Sequence, residues 1–237
     1  MAAKRGKKMS GIASFNRFYE TWMDHLHHLV QQLRKAPKPP GTDDDSSQLG
    51  HLVQKLMFHH AEFFRVKSAA AERDVLSVFT ASWASSLERS LHWIAGWRPT
   101  TLFHLVYTEA SILFEFHIAD ILRGQRTGDL GDLSPTQFRQ LQCETVKEEN
   151  AITEELSEWQ DGASEIMAGS SADVREKMGR LASVLKKADD LRMRTLRRLA
   201  ELLTPQQAAE FFIAAAELQF GVRDWGKKQD QHALENA

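Results

Sequence analysis

Apolar residues Phe15, Phe18, Tyr19, Trp22, Leu26, Leu29, Val30 and Leu33 recur at offsets of three and four. That spacing predicts one face of a long amphipathic helix. Ser14 stands at the N-cap position, where its hydroxyl oxygen accepts from an orphan backbone N–H. The run Pro37-Lys-Pro-Pro-Gly-Thr-Asp-Asp-Asp-Ser-Ser47 then predicts a linker at about 36–48, stiffened by proline and solvated by the acidic triplet. Leu49, Leu52, Val53, Leu56, Phe63 and Val66 resume the helical spacing. A short helix around Asp74–Phe79 leads into Trp83. Ser85 or Ser86 caps the next helix, which carries Leu87, Leu91 and Ile94 and stops near Gly96. Pro99 suits a first helical position, because its missing N–H has no partner to lose there.

Leu102–Leu122 is apolar almost all the way round, the pattern of a central helix covered by its neighbours, and Gly124 ends it. Ser134-Pro135-Thr136-Gln137 is a capping box. Phe138, Leu141, Thr145, Ile152, Leu156, Trp159, Ala163 and Ile166 continue a stripe from there to a break at Gly169-Ser-Ser171. A further helix runs from about Ala172 to Leu203 on Leu181, Val184, Leu185, Leu191, Leu196, Leu199 and Leu202. Thr204-Pro205-Gln206-Gln207 repeats the capping box and opens a last helix that ends near Gly226. No strand-type alternation competes. The pattern predicts an all-α, single-domain bundle of long amphipathic helices with one central, nearly all-apolar helix. The domain spans 14–226, between a basic flexible tail (1–13) and a second flexible tail (227–237).

Composition narrows the class without naming a function. The 237 residues are 42% hydrophobic and 26% charged, with a formal net charge of −2, too small to require nucleic acid as a partner. The single cysteine, Cys143, forms no internal disulfide and points to a reducing compartment. The N-terminus is basic but has no apolar segment behind it, so no secretory signal is expected. No unbroken apolar run of about 18 residues suggests a membrane span. The motifs of myristoylation and prenylation are missing, so no lipid anchor is expected. Lys4, Arg5, Lys7 and Lys8 suit a solvated tail, a nuclear address or weak contact with anionic lipid.

Catalytic patterns do not assemble. Gly221-Val-Arg-Asp-Trp-Gly226-Lys227-Lys228 imitates a Walker A loop, but a lysine replaces the magnesium-binding Ser/Thr and no strand precedes it. The turn Gly124–Asp132 holds two aspartates, which disfavour phosphate. His25 and His28 lie one turn apart, but zinc and di-iron ligand spacings are missing. His117 and Asp120 pair more readily with each other or with Arg123 than with a metal. Cys143 has no nearby histidine to activate it. Glu109 and Glu115, among apolar neighbours, are expected to meet an arginine such as Arg89 or Arg98. The chain is therefore expected not to be an enzyme and to need no cofactor, with a haem- or metal-binding sensor as a minor alternative.

Charge carries more information. Glu144, Glu154, Glu155, Glu158, Asp161 and Glu165 fall opposite the apolar stripe of the Pro135 helix. Lys186, Lys187, Arg194, Arg197 and Arg198 cluster on one side of the next helix. These opposite fields can meet each other in cis, a second copy, or another protein. Of these residues, Lys186, Lys187, Arg194, Arg197, Arg198, Glu154, Glu155 and Glu158 form the candidate interaction face. The basic face lacks the interleaved aromatics of a nucleic-acid surface.

Three blocks resemble the Delay of Germination domain, also the C-terminal part of TGA-type bZIP transcription factors. They are Phe15–Leu26, which includes Trp22; Leu87–Pro99, which ends in Trp93-Ile-Ala-Gly96-Trp97-Arg98-Pro99; and Leu203–Ala209. The resemblance covers about Ser14 to Trp225. Arg65–Ser68, Trp93–Thr101, Gly128–Pro135 and Glu154–Asp161 look most like the Inaperturate Pollen subgroup. The resemblance implies a non-enzymatic factor acting through protein partners, in dormancy, hormone signalling, transcription or pollen aperture formation. Its subgroup implies cytoplasmic protein gathered at plasma-membrane domains that become gaps in the pollen wall; the TGA relatives imply the nucleus as a second location. Homo-oligomers are also compatible. The basic region and zipper of TGA factors have no counterpart in the thirteen residues before Ser14, so autonomous DNA binding is not expected.

Overall fold

The structure, a computed structural model, describes residues 11–108, 135–162 and 171–236. The fold is all-α, and no strand occurs among the described residues. Helices α1 (Gly11–Lys35) and α2 (Asp43–Ala71) form a hairpin, followed by short α3 (Val75–Phe79) and α4 (Ser86–Leu91). Helix α5 is described over 101–108. Then come α6 (Pro135–Asp161), α7 (Ser171–Leu202) and α8 (Pro205–Glu235).

Two antiparallel pairs make the framework. Helices α6 and α7 run side by side: Thr145 meets Thr195 and Glu155 meets Lys187 along one seam. Helices α1 and α8 also oppose each other, with Arg34 bonded to Glu217 near one end and Glu20 to Arg223 near the other. Helix α2 joins the two, packing on α1 and α8 and also on α3 and α7. The apolar stripes close on one core that includes Phe15, Trp22, Leu33, Leu56, Phe103, Leu181, Leu199 and Phe212.

Local chemistry corrects several boundaries. Helix α1 begins at Gly11, so Ser14 lies inside it and does not cap it. The linker is shorter than its composition suggests, because Asp43, Asp44 and Asp45 form the first turn of α2. Thr42 Oγ1 accepts from Asp45 N and Asp45 Oδ2 accepts from Thr42 N, both at 3.1 Å, and the acids face the positive end of the helix dipole. Ser85, not Ser86, caps α4, which ends at Leu91 and not near Gly96. Pro99 precedes α5 and accepts from Leu102 N at 3.1 Å.

Gly226 does not stop the last helix; α8 continues to Glu235, so 227–235 is no flexible tail. A Cβ at residue 226 would lie 2.2 Å from Ser85 Oγ, so glycine serves here to let α4 approach α8. The Walker-like stretch is thus uninterrupted helix with no phosphate loop. The central helix beyond 108, with Glu109, Glu115, His117, Asp120 and Arg123, lies outside the described residues. So do Lys4–Lys8, the Gly124–Asp132 turn, Ser134, Glu165 and the break at Gly169.

Candidate functional site

The loop between α4 and α5 holds the signature block Trp93–Pro99, and its backbone is folded around two buried cations. Ile94 and Ala95 adopt positive φ, 48° and 54°, which turns successive carbonyls inward. Arg192, fully buried on α7, donates through Nε to Trp97 O at 2.7 Å and through Nη2 to Ile94 O at 3.0 Å and to Trp93 O. Its Nη1 donates to Asp189 Oδ1 at 2.5 Å. Lys67 of α2, also buried, donates to Ala95 O at 2.8 Å and to the same Asp189 oxygen at 2.9 Å. The carbonyls of Trp93, Ile94, Ala95 and Trp97 thus accept from two buried cations and not from helical N–H groups. This is why α4 cannot run on to Gly96.

Gly96 is needed for the same reason. A Cβ there would lie 2.9 Å from Arg192 Cζ. Trp93 lies under the guanidinium, 5.3 Å from ring centroid to Cζ, and its indole N–H donates to Thr153 Oγ1 of α6 at 3.0 Å. Its backbone N–H donates to Gly96 O at 2.7 Å, closing the loop on itself. Pro99 is buried, while Arg98 reaches out to buried Glu149 of α6 with Nε at 2.8 Å. Thr100 N donates to the same carboxylate at 2.6 Å. Arg98 thus meets Glu149, and Arg89 donates to Ala84 O at 2.6 Å; Glu109 and Glu115 lie outside the described residues.

Burial sets the proton affinities. It pushes the Lys67 ammonium down to about 8, against the pull of Asp189 and with the help of Arg192. Burial likewise lowers Arg192, opposed by Asp189. His92 is pushed down to about 4 by burial first and by Lys67, Arg192 and Arg89 after it, and its Nδ1 is buried with no hydrogen-bond partner among the described residues. Around this loop the buried charges Lys67, Arg192, Asp189 and Glu149 are two positive and two negative. Beside this cluster a groove of about 720 Å³ opens between α2 and α7, with Phe64, Leu185 and Met193 among its walls.

Trp22 belongs to a separate clasp. Its indole N–H donates to His59 O at 3.0 Å, and His59 Nε2 donates back to Trp22 O at 3.0 Å, with the rings stacked 4.7 Å apart. This ties α1 to α2. A third polar cluster ties α4 to α8 and α1: Arg223 donates to Glu88 at 3.2 Å and to Glu20 at 2.6 Å, with its guanidinium over Tyr19.

The charged faces predicted on α6 and α7 meet each other. Lys187 bonds Glu155 at 2.6 Å, Arg198 bonds Glu144 at 2.7 Å, and Arg194 bonds Glu148. Lys186 pairs with Asp190 on its own helix at 2.6 Å. Arg197, Glu154 and Glu158 are exposed outside these pairs. Of the three options the sequence left open, the cis seam is the one realised for Lys187, Arg194 and Arg198.

Sequence reasoning overlooked Lys67, Glu149, Asp189 and Arg192. A signal existed: each falls on the core-facing register of its helix, Lys67 after Leu56, His60 and Phe64, and Arg192 between Leu185 and Leu199. His25 and His28 are exposed, and among the described residues no three metal-ligating side chains converge. No described helix is long and apolar enough to cross a membrane.

Comparison with known proteins locates this arrangement. Residues 25–108, which contain Lys67 and the whole Trp93–Thr101 loop, match the family model described as seed dormancy control. Protein DOG1-like 4 of Arabidopsis thaliana is 29% identical over 232 residues, covering 91% of this chain and 93% of its own length. The tobacco TGACG-sequence-specific DNA-binding protein TGA-2.1 is 28% identical over 91% of this chain and 49% of its own. Transcription factor LG2 of Zea mays is 30% identical over 90% of this chain and 39% of its own. The chain thus spans about half or less of these two transcription factors.

Proposed function

The chain belongs to the Delay of Germination, or seed dormancy control, family, and from that premise we propose that it is a non-enzymatic plant factor that works through protein partners. The observation that carries the reading is the fate of the signature block. Trp93, Ile94, Ala95 and Trp97 use their carbonyls on Arg192 and Lys67, which leaves recognition to the outer helix faces. The relatives bear the names of a dormancy-family protein and of transcription factors, not of enzymes.

The finer assignment within this class is pollen aperture formation: the protein gathers at plasma-membrane domains that exclude wall deposition. It rests on the likeness of Arg65–Ser68, Trp93–Thr101 and Glu154–Asp161 to the Inaperturate Pollen subgroup. Lys4–Lys8 adds weak attraction to anionic lipid, about 1 kcal/mol per basic residue near the surface, so partners supply most of the attachment. A fluorescent fusion in developing microspores tests the assignment. Discrete surface patches, with apertures lost in the null plant, support it; a solely nuclear signal with normal apertures refutes it.

The names of the TGA relatives favour a second reading, a regulator of dormancy or transcription acting through bound factors. Nuclear accumulation and recovery of bZIP factors in a pull-down are its marks. Autonomous DNA binding is not part of either reading, and a flat binding curve with duplex DNA checks that. A haem or metal sensor is the third; absorption spectra and metal analysis of purified protein decide it.

A further inference from the structure

The groove between α2 and α7 presents a carboxylate that the fold leaves half used. Asp189 lines it, and Oδ1 of this residue accepts from both Lys67 and Arg192. No donor among the described residues reaches Oδ2. That oxygen is not sealed in, since the buried side-chain atoms without a partner are Asn16 Oδ1 and His92 Nδ1 among the described residues. With 9% of the Asp189 side chain exposed, the opening left to Oδ2 is the groove itself. A nearly buried carboxylate oxygen with unused lone pairs calls for a donor.

The rest of the groove has the make-up of a small-molecule site. Its volume of about 720 Å³ falls within the usual span of such sites, about 300–1,000 Å³. Phe64, Val78, Leu185 and Met193 supply apolar walls, while Ala61, Gly179 and Ala182 are too small to fill the space. Ser68 and Ser183 also line it, and their hydroxyls make no hydrogen bond among the described residues.

Charge selects the class of ligand. The lining holds three cations, Arg65, Lys67 and Lys186, and three anions, Glu72, Asp189 and Asp190, so its formal sum is zero. Each cation is already paired: Arg65 with Glu62, Lys67 with Asp189, and Lys186 with Asp190. An anionic head group would meet Oδ2 as a like charge. A cationic one would be the third positive charge, after Lys67 and Arg192, on a single carboxylate. A hydroxyl group supplies the one donor that Oδ2 lacks and brings neither conflict. We propose that the groove binds a neutral, mainly apolar molecule through a hydroxyl group that donates to Asp189 Oδ2. This adds a small-molecule site to the partner-binding reading and does not rest on it.

Benzyl alcohol, benzylamine and benzoate share one apolar body and differ in the polar group, so they test the class directly. Each is titrated into the full, isotope-labelled chain and followed by amide chemical shifts. The alcohol binds saturably, with its largest shifts at groove residues such as Ser68 and Ala182. It binds more tightly than the amine, and at least about 10-fold more tightly than benzoate, whose charge opposes Oδ2. Ala182→Leu fills the groove from a half-buried position and weakens the alcohol at least about 10-fold, with the helical CD spectrum unchanged. Asp189→Asn sets a donor where Oδ2 stands and brings benzoate level with the alcohol or above it; should that variant not fold, the probe order and Ala182→Leu decide. No saturable shift with the alcohol, largest shifts outside the groove, an amine or benzoate that binds as tightly as the alcohol, or full affinity in Ala182→Leu overturns the proposal.

Discussion

Replacing Gly226 by alanine separates a packing role from a helix-breaking one. Within α8 an exposed alanine stabilises over glycine by about 1 kcal/mol, through lower backbone entropy in the unfolded chain. At 226 the new methyl would lie 2.2 Å from Ser85 Oγ, 2.9 Å from Ser85 Cβ and 3.0 Å from Leu87 Cβ. Relief requires α4 to retreat by about 1 Å, an overpacking cost of about 1–3 kcal/mol. The retreat also disturbs Ser85 as the cap of α4, worth about 1 kcal/mol. The sum is a net loss of about 2 kcal/mol, which lowers Tm by about 4–8 °C in a domain of this size. Gly50→Ala and Gly179→Ala are the controls, since nothing lies within 4 Å of a Cβ at either site. Both are expected to gain about 0.5–1 kcal/mol. Urea unfolding followed by CD at 222 nm measures all three. If Gly226→Ala gains as the controls do, the close approach of α4 to α8 is refuted, and with it the reason for that glycine.

Acid weakens the fold through its buried histidines. His59 and His92 are pushed from 6.5 to about 4, and burial lowers His60 as well, so the unfolded chain takes up protons between pH 6.5 and 4 that the folded chain refuses. Stability falls as pH falls through that window, by on the order of 1–2 kcal/mol each for His59 and His92 after allowing for partial solvation; a urea midpoint constant from pH 7 to 4.5 contradicts this. Arg192→Lys leaves buried carbonyls of the signature loop without donors and costs about 3–5 kcal/mol. Arg194→Lys, on the exposed seam, costs less than about 1 kcal/mol, and equal urea midpoints for the two variants would refute the difference in their roles. Exchanging Glu144 and Arg198 leaves stability within about 1 kcal/mol of the wild type, whereas Arg198→Glu alone sets like charges together; thermal unfolding of the two variants distinguishes them.

Much of the fold was legible because apolar residues at helical spacing leave few ways to close. Phe15 to Leu33 on α1 and Leu181 to Leu199 on α7 point inward as their periodicity requires. The capping box at Thr204 was readable for the same local reason, a short side chain with Gln three residues on, and Ser85 stood as one of two candidate caps for α4. Errors arose where a residue type has two uses. Asp43–Asp45 solvates a linker or opens a helix, and Thr42 decides for the helix. Gly226 ends a helix or admits a neighbour, and Ser85, 141 positions away in sequence, decides. The clasp around Arg192 depends on α2, α7 and the loop after α4 meeting, which no local pattern encodes. Charged residues on an apolar register were the available clue. The acidic side of α6 and the basic side of α7 were visible in the sequence, but that Lys187, Arg194 and Arg198 meet α6 depended on the register of the two helices.

The account stands on the signature loop being an internal clasp, closed by Arg192 and Lys67, and not a recognition surface. Amide hydrogen exchange at Trp93 and Thr100 tests this most directly, since these N–H groups donate to Gly96 O and to Glu149 at 2.7 and 2.6 Å. In the wild type both are predicted to exchange only through global unfolding, at rates matching the core amides of α2 and α7, and in Arg192→Lys both become faster than that core. Exchange at the rate of an open peptide in the wild-type protein would contradict the clasp.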